Sequence, residues 1–156
     1  MSKSDDPGAV LSLVVRHVVR APPQRVFDAW TRPEELRRWW GPNGLVCTEA
    51  HVDLRVGGRY RIANLFPDGK VVWICGEYEV IEPPARLVYS WRTEPRGGAD
   101  ERVSVNFEAC AEGTLVVVTH ERIADQAVRD RHEQGWRGCL DGLARVLDAA
   151  GQASGR

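Results

Sequence analysis

The chain has 156 residues, 43% hydrophobic and 28% charged, with a net charge of −1. That length supports one domain with a core of its own, without disulfides or a metal to staple it. The near balance of charge leaves no basic face for nucleic acid or an anionic membrane surface.

Residues 1–10 and 150–156 read as flexible ends around a single domain at 11–149, with RGGAD (96–100) as a loose turn. The first apolar run, VLSLVV at 10–15, stops at Arg16, too short for a signal peptide or a membrane span. LSLVVRHVV alternates with period two, which puts Leu11, Leu13, Val15, His17 and Val19 on one face of a strand. Pro22 and Pro23 suit the first turn of a helix carrying Val26, Phe27 and Trp30. Thr31-Arg-Pro-Glu34 has capping-box spacing and predicts a second short helix holding Leu36, Trp39 and Trp40, ended by GPNG. Neighbouring helical side chains point about 100° apart, so only one of Trp39 and Trp40 sits squarely inward on a helix. One is expected to anchor the core while the other roofs an entrance; the alternative is that both are ordinary packing aromatics.

Period two then returns. Strands are predicted at 46–55, 58–66, 71–81, 86–93, 102–109 and 114–120, joined by short turns, the pattern of an antiparallel meander. Alternation points Tyr60, Ile62, Asn64, Ile74, Gly76, Tyr78, Val80, Leu87, Tyr89 and Trp91 inward, with Val103, Val105, Phe107, Val116, Val118 and His120. Trp73 counts outward, half covered by its neighbours or marking the contact of a homodimer, unless a bulge flips it. Asp53 and Arg55 share a strand face and read as structural, beside a tight Gly57-Gly58 turn.

A closing helix is predicted at about 125–149, with Asp125 as N-cap and Gly151 just past its end. Val128, His132, Trp136, Cys139, Leu140, Leu143, Val146 and Leu147 follow helical spacing, and Gly135 suggests a close backbone approach to the sheet. Such a helix is roughly 37 Å long, enough to cross the sheet. The order is that of an α+β fold, a curved antiparallel sheet wrapped around one helix.

APPQRVFDAWTRPEELRRWWGPNG, DLRVGGRYRI, GEYEVIEPPARLVYSW and the Gly-Trp of the last helix resemble the SRPBCC superfamily, with its helix-grip or START-like fold. The branch resembled is the one named for the activator of the heat-shock protein ninety ATPase. The resemblance implies a deep cavity between sheet and C-terminal helix, and small hydrophobic or amphipathic ligands. It also implies that His17 faces the cavity, where relatives often carry arginine.

Three phenols and three histidines at inward positions suit a wet or ligand-filled space, because buried hydroxyls and imidazoles need partners. The candidate ligand-binding residues are His17, Trp39, Trp40, Tyr60, Tyr78, Tyr89, Trp91, Phe107, His120, His132, Trp136 and Leu140. No cofactor is expected. No metal is expected either, since the histidines lack His-x-x-x-His spacing and a carboxylate at motif distance. No nucleophile motif stands out, so no catalytic residue is assigned. The alternatives to ligand binding are a polyketide cyclase- or hydrolase-like enzyme using pocket His and Tyr, and a co-factor domain for a chaperone ATPase. Cys47, Cys75, Cys110 and Cys139 are scattered without Cys-x-x-Cys and read as free thiols of a cytoplasmic protein.

Overall fold

Alternating apolar residues give a seven-stranded antiparallel sheet, in a computed structural model that describes residues 10–41, 45–94 and 100–154, without the side chains of 149–154. All but the last residue of each of the expected loose segments at 1–10 and 96–100, and most of the GPNG turn, lie outside the described residues. In chain order the elements are β1 (Leu11–Val19), α1 (Pro23–Thr31), α2 (Pro33–Trp39), β2 (Val46–Val52) and β3 (Arg59–Leu65). They continue as β4 (Val71–Glu82), β5 (Arg86–Glu94), β6 (Glu101–Cys110), β7 (Gly113–Ile123) and α3 (Gln126–Ser154). The sheet order is β1-β7-β6-β5-β4-β3-β2, so the meander returns its last strand beside its first.

The inward face of the sheet is as the alternation predicts, with one correction. The β4–β5 register shifts between Tyr78 and Val80, so that Tyr78 faces Tyr89 and Ile81 faces Leu87. This bulge at Glu79 turns Val80 outward and packs Ile81 against the core in its place. Trp73 is half covered on the outer face, with the Arg61 guanidinium 4.1 Å from its ring and His51 stacked at 6.3 Å.

The helix ends differ from expectation in instructive ways. Thr31 does not cap α2; it stays in the last turn of α1, its hydroxyl donating to the Phe27 carbonyl at 2.9 Å, and Arg32 is the cap residue. Pro33 at the first position, with Glu34 and Glu35 behind it, is enough to start α2. Asp125 does cap α3, accepting from the Val128 N–H at 2.9 Å. Gly151 does not stop that helix, which runs through Ser154. Asp53 and Arg55 fall beyond the end of β2, in the turn, and pair with each other at 2.9 Å.

The core lies between sheet and α3, with Leu140, Leu143 and Leu147 of the helix all but fully buried. The close approach occurs at Gly142, where a Cβ would meet the Trp39 carbonyl oxygen at 2.9 Å. That contact is with α2; Gly135, expected to bring the helix backbone close to the sheet, has open space around it.

Candidate functional site

The opening lies under the first half of α3. A cavity of about 420 Å³ separates this half from β3, β4 and β5. The end of α2 supplies Trp40; Leu45, Asn64, Phe66, Pro67, Val72 and Ile74 form one wall; Trp91 and Thr93 come from β5. The helix contributes Arg131, His132, Gln134, Gly135, Trp136 and Cys139.

Both neighbouring tryptophans are buried, because the helix ends between them. Trp39 closes α2 and donates its indole N–H to the Ala29 carbonyl at 2.8 Å. Trp40 is already extended (φ −74°, ψ 128°), which releases it from helical rotation and turns its ring into the cavity wall. Its indole N–H donates to Asn64 Oδ1 at 2.9 Å. Thus Trp39 anchors and Trp40 walls the cavity. Trp40, Trp91 and Trp136 lie edge to face or tilted, with ring centroids 5.5–6.2 Å apart. Trp136 donates to His120 Nδ1 at 3.0 Å and Trp30 to the Tyr89 hydroxyl at 3.2 Å. Trp91 Nε1, shielded from solvent, has no acceptor among the described residues.

The predicted residues divide. Trp40, Trp91, His132 and Trp136 line the cavity. Tyr60, Tyr78 and Tyr89 do not; they close around a separate gap of about 10 Å³, room for no more than one water. Burial pushes all three phenol pKa values above their usual range, so they remain protonated hydroxyls. Phe107 packs edge-on against Phe27 and Trp30, and Leu140 is core. His17 shares the inward face of β1 but sits half-exposed beside Asp141, Nδ1 to Oδ1 3.8 Å, away from the cavity. His120 is completely buried behind the wall.

One residue that the sequence reading missed organises the polar corner. Glu101 Oε1 accepts from His120 Nε2 at 2.8 Å and from His132 Nε2 at 2.9 Å, while the two imidazoles stack 4.4 Å apart. Burial alone would raise the Glu101 pKa; the two histidine donors outweigh it and hold the carboxyl at about 2. Burial holds His120 below the ordinary histidine range, against the pull of the carboxylate. The signal for Glu101 was available. Counting back by two from Phe107, Val105 and Val103 lands on Glu101, a charge on the inward face, opposite Trp91. Starting the strand at 102 concealed it.

Glu101, His120 and His132 bring one ligand atom each within 4.8 Å of the others, the composition of a metal centre. The hydrogen bonds do not fit that role. An indole N–H only donates, so His120 Nδ1 must accept and the ring's proton sits on Nε2, pointing at Glu101. A cation would need the Nε2 lone pair, and taking it would break the Trp136 bond. The thiol of Cys139 is pushed up to about 12 by burial and is a neutral part of the wall.

Comparison with known proteins agrees with this architecture. The family model for activator of Hsp90 ATPase homolog 1-like proteins matches residues 20–148. A protein from Chromobacterium violaceum is 29% identical, with a TM-score of 0.81, covering 87% of this chain and 96% of its own. One from Rhizobium leguminosarum is 28% identical, TM-score 0.76, over 90% and 96%. An AHSA1-like protein from Aeromonas hydrophila is 27% identical, TM-score 0.75, over 90% and 94%. No curated protein matches the chain.

Proposed function

The chain belongs to the family of activator of Hsp90 ATPase homolog 1-like proteins, and we propose that within it this protein binds a small hydrophobic or amphipathic ligand in the cavity beneath the first half of α3. The observation that carries this reading is the cavity itself. At about 420 Å³ it falls within the range of small-molecule sites, and aromatic and aliphatic side chains dominate its walls. Burying an apolar ligand there contributes about 25 cal/mol per Å² removed from water. Asn64, whose amide group already serves Trp40 and the Ile62 and Val72 carbonyls, is held as wall, which leaves Thr93, Arg131, His132 and Gln134 to meet polar atoms of the ligand.

A reducing, cytoplasmic setting accords with four free cysteines. Among the described residues no helix is long and apolar enough to cross a membrane. The chaperone-ATPase reading rests on the family description alone. For an enzyme using pocket His and Tyr the tyrosines are out of reach, because the three phenols are packed around their own small gap, and of the predicted histidines His132 alone lines the cavity.

Titration with naphthalene tests the proposal. Three cavity tryptophans should report it as saturable quenching of fluorescence, and Val72→Trp, which places a ring in the space, should abolish the response. Absence of any saturable response in the natural protein, with no small molecule found on it by native mass spectrometry, would overturn it.

A further inference from the structure

Resting on the cavity reading, we propose that the ligand carries an acidic hydroxyl, a phenol or an enol, and that His132, backed by Glu101, takes its proton. The tautomers lead there step by step. Glu101 is an ionised acceptor, so the hydrogen between it and His132 belongs to His132 Nε2. A neutral His132 then carries its lone pair on Nδ1, which has no hydrogen-bond partner among the described residues, and its ring lines the cavity. A carboxylate behind one nitrogen and an open lone pair on the other is the arrangement that makes imidazole a base. The carboxylate orients the ring and stabilises the imidazolium that forms.

The step balances without a co-reactant. The ligand O–H bond breaks, an N–H bond forms at His132 Nδ1, and the pair becomes oxyanion and imidazolium with Glu101 beneath. Other charged and titratable groups around His132 are compatible with this. His120 is neutral and donates to the same carboxylate; Cys139 keeps its proton; Arg131 adds positive charge at the cavity edge. An oxyanion in apolar surroundings requires hydrogen bonds. Arg131 and Gln134, which line the cavity, are the donors within its reach; the Trp91 N–H, closed off even from water, is not. The protein therefore holds an open base beside the polar groups at the cavity edge, and a weakly acidic hydroxyl satisfies it.

The experiment pairs 4-nitrophenol, whose phenolate absorbs in the visible, with nitrobenzene, which has the ring but no O–H. Both should bind the natural protein. About one unit below the free phenol's pKa, bound nitrophenol should show a phenolate-to-phenol ratio about tenfold above that in buffer, which corresponds to a pKa lowered by one. His132→Phe and Glu101→Gln should bind nitrobenzene within about threefold of the natural protein and lose the phenolate band. If nitrobenzene binds but nitrophenol stays neutral, or keeps its phenolate in His132→Phe, the proton-transfer proposal is wrong while the cavity reading stands. If neither compound binds, both fail.

Discussion

The two halves of α3 share a sheet and a helical period yet do different things. From Leu140 to Leu147 the helix is gripped, with Leu140, Leu143 and Leu147 at 0–1% exposure and the Gly142 backbone against Trp39. From Arg131 to Gly135 it stands off the sheet over an open space. The difference arises from side-chain volume and chemistry. Leucines fill the distance between helix and sheet in one half, whereas the other offers glycine, a half-buried imidazole and polar residues. One end of the helix thus serves stability while the other borders the cavity, and Trp136 sits at the junction of the two.

The junction should show the largest effect. Trp136→Ala removes an indole that is 2% exposed and strands His120 Nδ1 without its donor. A loss of about 3–5 kcal/mol is expected in urea unfolding. Leu143→Ala should cost about 2–5 kcal/mol, while His132→Ala, in the open half, loses one donor to Glu101 and should cost about 1–2 kcal/mol. Equal losses for Leu143 and His132 would abolish the distinction between the halves.

Acid should weaken the polar corner next. The Glu101 carboxyl lies near 2 when folded against an ordinary 4.5, so its contribution is complete above 4.5 and declines as pH falls toward 2. His120, its pKa lowered by burial, is neutral when folded but takes a proton on unfolding below its ordinary 6.5, which has the same sign. Glu101 alone should account for roughly 2 kcal/mol of lost stability between pH 7 and pH 3. In Glu101→Gln, stability should vary less with pH below 4.5. A variant as acid-sensitive as the natural protein there would remove Glu101 as the cause.

The gripped half was far more legible in the sequence than the open half. Periodicity reports which side chains point inward, so the leucine line of α3 and the inward residues of the meander could be read directly. It does not report whether the inward space is filled. Tyr60, Tyr78 and Tyr89 point inward as expected but meet one another, 5.1–6.0 Å between centroids, and close their end of the sheet. The cavity's outer wall comes from Phe66 and Pro67, residues of a turn, where alternation carries no information. Val80 was misplaced because a one-residue bulge reverses the faces beyond it.

The smallest expected effect is the sharpest test of the comparison, because it depends on the two helical glycines differing in sign. Nothing lies within 4 Å of a Cβ built on Gly135, so Gly135→Ala only removes backbone freedom from the unfolded chain and should stabilise the protein by about 0.5–1 kcal/mol. At Gly142 the same methyl group gains the same helix propensity but meets the Trp39 carbonyl oxygen at 2.9 Å. Backbone cannot rotate aside as a long side chain can, so α2 and α3 must part. The cost of overpacking, about 1–3 kcal/mol, should exceed the gain and leave Gly142→Ala less stable. Urea unfolding of the two single variants decides the matter. Stabilisation by both would mean that the helix is loosely held along its whole length; destabilisation by both would mean that the space around Gly135 is already filled.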